Sequence, residues 1–360
     1  MSKTNDFKIE ISFKTIIFTI FLIIGLVIAW ELRIVFFMFF IAYIISATFR
    51  PAVDFLEKKK IPRVLSTIVI FLLTFVIIGL LLLTIAAEAY NQLNNLFSQL
   101  PTIVFNVLTG LNKSLPLNTI INPQAIKDNL KDIVGVLMKM DLSVFTSGLS
   151  SAVGILSAAA TFTIAISMIS ILSIYMLLRK DDVVANLMVF FNKNNEGRYR
   201  EVLKKIENKL GGWLRAQILV MFSAGFFVWV GLSLPALFIP NYNLHNYALP
   251  IALLVFIIEL VPGFGIATGG VLATLIALAT GNVLLIIYAA LLFIIIQQIE
   301  SMLIVPRVMS KAIDLDPVIT ILGIVAGSLL FGVMGVILII PLLAVAKILV
   351  TEFVNHSEKN

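Results

Sequence analysis

Few side chains in this 360-residue sequence could do chemistry, and the best candidates stand among apolar neighbours. Glu259 lies near the end of the run Leu249 to Val261. Gln297, Gln298 and Glu300 lie near the end of the next one, Asn282 to Ile304. An ionisable group inside hydrocarbon is costly, so its default reading is functional, and a carboxylate there suits exchange of a proton or of a monovalent cation such as Na+. Burial favours the neutral form of Glu259, whereas hydrogen bonds from free amides nearby favour the ionised form. The structural alternatives are a cap on a broken helix for Glu259 and an interfacial ion pair with Arg307 for Glu300.

Other chemistries find no residues. The chain has no cysteine, hence no disulfide, thiolate metal site or cysteine nucleophile, and His245 and His356 are too few for a histidine metal cluster. There is no G-x-x-x-x-G-K-[ST] phosphate loop, no H-E-x-x-H pair and no histidine-supported serine. We therefore expect no enzyme, no ATP hydrolysis, no metal and no cofactor beyond H+ or Na+ as coupling ion. A net charge of +6 does not point to nucleic acid, because the basic residues cluster beside apolar runs, where membrane lipid is the partner.

The elements that must position these groups are membrane helices. The chain is 60% hydrophobic and 13% charged, with a mean hydropathy of +1.07, which rules out an ordinary soluble protein. Its long runs, Thr15 to Trp30, Ile34 to Thr48, Val64 to Ala87, Ile155 to Leu178 and Ile218 to Ile239, are apolar on every face, unlike the alternating strands of an outer-membrane barrel. The first run ends in Trp30-Glu31-Leu32-Arg33 rather than in small residues, so it reads as a retained span, joined to the second by a tight external turn. With the N-terminus inside, 21 of the 26 lysines and arginines fall in segments 1–14, 50–63, 179–215, 306–311 and from Lys347 onward, as the positive-inside rule requires. Residues 88–150 are richer in Asn and Pro, and helical spacing with a polar face over Tyr90 to Leu111 and Gln124 to Met140 predicts amphipathic helices on the outer side. Four regions follow: three spans in 1–87, the amphipathic region 88–150, a fourth span with a cytoplasmic helical loop in 151–216, and a C-terminal core in 217–360.

Two apolar segments of that core are interrupted. Leu249 to Val261 provides 13 residues, about 20 Å of helix against a hydrocarbon core of about 30 Å, before Pro262-Gly263-Phe264-Gly265. Proline removes an amide and glycine disfavours helix, so the chain should break there and return through Thr280 as a re-entrant hairpin. The second segment starts with Asp316 as cap and Pro317 in the first turn, and breaks at Gly332-Val333-Met334-Gly335. The pairs Gly265/Gly269 and Gly323/Gly327 have the spacing of close helix packing. Irregular backbone at depth survives only inside protein or facing water, and two opposed broken segments mark a solute or ion site in secondary transporters.

Three stretches of sequence resemble a known family: YIISATFRPAVDFLEKKKIPR from Tyr43 to Arg63, GWLRAQ from Gly212 to Gln217, and QQIESMLIVPRVMSKAIDLDPVITILGIVAGSLLFGVMGVILIIPLLAV from Gln297 to Val345. Together they resemble the autoinducer-2 exporter family of bacterial permeases across nearly the whole chain. The resemblance implies a multi-pass protein of the bacterial inner membrane with both termini cytoplasmic, forming a homo-oligomer such as a pentamer. Its implied activity is export of the quorum-sensing signal autoinducer-2, or sodium/proton antiport as in some relatives. The family positions that match are Pro262, Gly265, Gly269, Gln297, Glu300, Pro306, Arg307, Pro317, Phe331, Gly332, Gly335 and Pro341. Gly263, Ile266 and Asp316 depart from the common pattern.

The expectation is an all-α polytopic membrane protein with about six full spans and two opposed re-entrant hairpins, or eight or more full spans. Both broken segments and Glu259 would form a midplane site for a small polar solute, moved outward by ion-driven alternating access. Cation/proton antiport is the second reading. A non-transporting scaffold is the third, and it would need neither breaks at depth nor buried carboxylates.

Overall fold

A computed structural model describes residues 13–81, 83–84, 152–189, 196–239, 242, 244–280, 282–309 and 315–357. The amphipathic region expected at 88–150 lies outside them. Among the described residues all regular structure is helical: α1 Phe13–Glu31, α2 Arg33–Lys58, α3 Arg63–Leu81, α4 Ala152–Leu178, α5 Lys180–Met188, α6 Glu196–Ser233, α7 Ala248–Ile258, α8 Phe264–Ala279, α9 Val283–Met309 and α10 Pro317–Ser357. Six of these are long and apolar enough to cross a membrane, namely α1, α2, α3, α6, α9 and α10. At 27 residues, about 40 Å, α4 is also long enough, and it is followed by a 92° bend into α5. Phe18, Phe21, Leu72, Leu73, Val271 and Leu329 are among many large apolar side chains left exposed, which only lipid or another membrane-embedded surface can cover.

The turn expected between the first two runs is absent. Helical hydrogen bonds carry on across the junction, from the Leu32 amide to the Ile28 carbonyl (2.9 Å) and from the Phe36 amide to the Leu32 carbonyl (3.1 Å), so α1 bends into α2 without reversing. No glycine or proline stands there to turn the chain. The charge of Arg33 is absorbed locally, its guanidinium donating to the Trp30 carbonyl at 2.8 Å and lying 5.0 Å from the indole ring. The chain does reverse at Lys58-Lys59-Lys60. Lys60 adopts φ 67°, and the Ile61 amide reaches back to the Leu56 carbonyl at 3.2 Å, a Schellman stop followed by Pro62. Arg63 then ties three helices together, donating to Asp54 (3.0 Å), to Glu57 (2.7 Å) and to the Leu177 carbonyl (3.1 Å) at the end of α4.

The spine of the fold is α6, 38 residues or about 57 Å, nearly twice a hydrocarbon core. The sequence reading separated a cytoplasmic helix from a fifth span, but Gly211 and Gly212 do not interrupt it. The reason is tertiary. Pro51, inside α2, has no amide to give the Ala47 carbonyl, and that carbonyl abuts Gly211 of α6, where any Cβ would strike it. Arg215, one turn on, donates to the orphaned carbonyl of Ala47 (3.2 Å) and to that of Thr48 (3.1 Å). The proline kink of one helix is thus satisfied by a glycine-arginine notch in the other. Around that contact Leu210 and Trp213 of α6 pack with Ile44, Leu338 and Ile340, and farther along α6 packs with α7, α8 and α9 around Val228, Val255, Ala273 and Phe293.

Basic segments converge on one side of the molecule. Arg50 and Lys180 both pair with Glu207, and Arg198 and Lys205 both pair with Glu352 near the C-terminal end. Glu201 and Lys205 form the expected i,i+4 pair at 3.2 Å.

Both interrupted segments fold back on themselves. Helix α7, 11 residues or about 16 Å, runs antiparallel to α8, with Gly265 against Val255 and Glu259, and Gly269 against Val255 and Ile251. The break runs from Glu259 to Gly263, and Gly265 already lies inside α8, so the interruption begins three residues and ends two residues earlier than the Pro262–Gly265 reading. In α10 the only non-helical residue is Gly332 (φ 60°, ψ −141°), and residues 333–335, expected in the break, are helical. The conformation of Gly332 is one that L side chains rarely adopt. Gly323 faces Ile339 and Leu343, while Gly327 faces Gly335 and Ile339, so the two limbs of α10 are antiparallel.

The adjacent glycines of α6 give a direct test. Gly211→Ala forces a methyl into the Ala47 carbonyl and should lower stability by about 1–3 kcal/mol, while Gly212→Ala, which meets nothing within 4 Å, should be neutral or stabilising by about 1 kcal/mol. Thermal unfolding of the purified protein followed by tryptophan fluorescence reads both; equal behaviour of the two variants would contradict the notch.

Candidate functional site

The tip of the α7–α8 hairpin is built around Glu259, which is fully buried. A hairpin tip leaves carbonyls free at the end of one helix and amides free at the start of the next, and in an apolar setting each must find a partner. The amides of Glu259, Leu260, Val261 and Phe264 reach the carbonyls of Val255, Ile257, Ile258 and Val261 at 2.8–3.2 Å. Pro262 has no amide. The Glu259 carboxylate takes the next two, accepting from Gly263 at 2.5 Å with one oxygen and from Ile266 at 3.0 Å with the other. A carboxylate at the start of the 16-residue α8 is also stabilised by the helix dipole. The main-chain carbonyl of Glu259 accepts from the Gln217 side chain of α6 at 2.6 Å, and Gln217 is itself fully buried. Gly265 is required by this geometry, since a Cβ there would meet Glu259 Oε2 at 2.6 Å.

A second carboxyl group joins the first. Glu300, 2% exposed, stands beside Glu259, and Gln297 donates to its carboxyl group at 3.4 Å. Neither glutamate has an ion-pair partner among the described residues. Glu300 opens a π-helical turn, Glu300–Ile304, in the middle of α9. Pro306 supplies the cause, since its ring crowds the carbonyl four residues back and it gives no amide, so the preceding turn widens. A groove of about 560 Å³ runs between α8 and α9 toward this pair, walled by Ile266, Gly270, Thr274 and Phe293 and ending at Gln297 and Gln298.

The structure sorts the candidates read from sequence. Glu259, Pro262, Gly263, Gly265, Gly269, Gln297, Gln298 and Glu300 gather at the hairpin tip and its groove. Arg307 does not pair with Glu300; it is exposed and turns back to the Leu303 carbonyl at 3.1 Å, because the wide turn swings Glu300 inward instead. Asp316 is exposed and caps α10, accepting from Val318 at 2.8 Å, with Pro317 as the first helical residue. Gly332 and Gly335 belong to the other hairpin, which packs on α6 and α2, its Phe331 against Trp30 and Phe37. The two breaks therefore do not form one site in the monomer: α6 separates them. The tip lies near the basic side of the molecule, since Gln217, which holds the Glu259 carbonyl, is only two residues, about 3 Å, along α6 from Arg215. Gln217 escaped the sequence reading as a site residue. The available signal was a glutamine opening an otherwise apolar run. Among the described residues no three acidic or histidine side chains could hold a metal ion.

Gln217→Leu removes the one donor to a buried carbonyl and should cost about 1–3 kcal/mol, whereas Gln298→Leu, on the exposed side of α9, should cost under about 0.5 kcal/mol. Parallel thermal melts check the difference.

Comparison with known proteins agrees with this architecture. The model of the AI-2E family transporters matches residues 16–355. YrrI of Bacillus subtilis, named as a transport protein, is 27% identical over 327 residues, covering 90% of this chain and 88% of its own. A transport protein of Mycobacterium tuberculosis is 26% identical over 309 residues, covering 84% and 79%. PerM of Escherichia coli, named as a permease, is 26% identical over 286 residues, covering 76% and 75%. An all-helical, multi-pass membrane chain matched over nearly its full length belongs to the AI-2E family of transporters.

Proposed function

We propose that the protein is a proton-coupled secondary transporter that exports a small polar solute, such as the signal autoinducer-2, across the bacterial inner membrane. The observation that carries this reading is the buried Glu259–Glu300 pair at a broken helix. Two adjacent ionised carboxylates, with no ion-pair partner among the described residues, repel strongly in a low-dielectric site, so the pair holds one proton between them. Glu259 also accepts two amides, so the shared proton sits where the hairpin tip meets α9. Loss of that proton sets two negative charges against each other across the contact between the hairpin tip and α9. The tip must then move away, or water or a cation must enter. Protonation is thereby linked to the position of the hairpin, which is the element alternating access requires. The groove ending at Gln297 and Gln298 offers amide groups to a hydroxylated solute along an otherwise apolar path.

The same pair favours one second reading. Two adjacent carboxylates supply oxygen ligands among which Na+ replaces the proton, and the protein is then a monovalent cation/proton antiporter.

Flux in proteoliposomes separates the two. Wild-type protein should release autoinducer-2 in response to an imposed proton gradient. Glu300→Gln, which cannot ionise, should abolish the gradient-dependent component while melting within a few degrees of wild type. Sodium-dependent proton movement without signal release would establish antiport instead. No flux of either kind would contradict transport.

A further inference from the structure

A cavity of about 480 Å³ opens between α2, α5 and α6, away from the carboxyl pair, and its walls carry five basic side chains against two acidic ones. The basic residues are Arg50, Lys58, Lys180, Lys204 and Arg215. The acidic residues are already engaged. Glu207 is shared between Arg50 and Lys180, one oxygen to each, and Asp54 pairs with Arg63 at 3.0 Å. Lys58 and Lys204 have no ion-pair partner among the described residues, Lys180 feels both Arg50 and Lys204 as like charges, and the buried Nε of Arg50 has no hydrogen-bond acceptor. Such a concentration of like charge in a concavity is unfavourable without an anion to offset it. Ala47, Pro51 and Phe55 of α2 line it as well, beside Arg50 and Lys58 of the same helix, so the cavity lies where the apolar part of α2 gives way to its charged end.

We infer that this cavity binds a phosphate group, with guanidinium and ammonium donors for its oxygens and Phe55 as the apolar neighbour of an uncharged stem. Planar guanidinium and mobile ammonium groups are the usual partners of phosphate oxygens. A bound phosphate would bridge α2, α5 and α6 just beside the Pro51–Gly211 notch and so stiffen the spine of the fold. Two sources share this chemistry, an anionic phospholipid headgroup and free phosphate. The inference is independent of the transport reading, because none of these residues touches the Glu259 site.

Thermal stability of the full-length protein in detergent, titrated separately with phosphatidylglycerol, phosphatidylcholine and inorganic phosphate at constant ionic strength, tests it. At least one of phosphatidylglycerol and inorganic phosphate should raise the melting temperature of the wild type, and phosphatidylcholine should not. Lys58→Gln combined with Lys204→Gln should weaken the effective probe by about tenfold or more, whereas Lys14→Gln combined with Lys60→Gln, exposed lysines outside the cavity, should change it little. Stabilisation by the lipid alone assigns the site to a headgroup, and by inorganic phosphate to a free anion. Lys204→Gln alone gives the same comparison at smaller amplitude if the double variant does not fold. Equal weakening by both lysine pairs, or no stabilisation by either phosphate probe, would overturn the inference.

Discussion

The hairpin between α7 and α8 exists because one buried carboxylate completes its hydrogen bonding. Without Glu259, the amides of Gly263 and Ile266 would be stranded in an apolar interior, each at a cost of about 1–3 kcal/mol. With it, the tip closes as a unit: the side chain caps the start of α8, and the main-chain carbonyl anchors the end of α7 to Gln217. The charge that makes this cap strong also makes it sensitive, since a second buried glutamate stands beside it. Stability and protonation therefore act on the same few atoms.

That tip is held against a long rigid element. Helix α6 contacts α2 at one end through the Ala47–Gly211 notch and α7–α9 at the other, with Arg215 and Gln217 separated by less than a turn. A shift of the hairpin has a short route to the basic face through this helix. The second hairpin lies on the far side of the same element, its seam lined by Gly323, Gly327 and Gly335 against Ile339 and Leu343, with no ionisable group at its turn. It is built as a packing device, while the first is built around charge.

Much of this was legible in the residues themselves. The apolar runs announced a membrane protein, Asp316-Pro317 announced a helix start, and proline and glycine announced both interruptions to within a few residues. A carboxylate one turn from a break is a visible anomaly, so Glu259 stood out. What escaped depended on partners remote in sequence. Gln217 meets Glu259 across 42 positions, and no local pattern encodes that contact. Glu300 looked like a mate for Arg307 because α-helical geometry was assumed, and the π turn before Pro306 re-aims it. Charged Glu31 and Arg33 suggested a turn, yet charge alone does not reverse a helix when the side chain can fold back onto Trp30. The breaks were placed late or spread too wide for a related reason: in α10 a single glycine with positive φ suffices to turn the chain, and in the first hairpin the carboxylate brings the break forward to itself.

The central claim is that the Glu259–Glu300 pair holds one proton inside the folded protein. Infrared spectroscopy of protein carrying carbon-13 in its glutamate carboxyl groups measures this directly, through the carbonyl stretch that only a protonated carboxyl shows. The account predicts such a band at neutral pH in the wild type and its disappearance in Glu300→Gln. A spectrum with no protonated glutamate at neutral pH, or a band that survives that substitution unchanged, would contradict it.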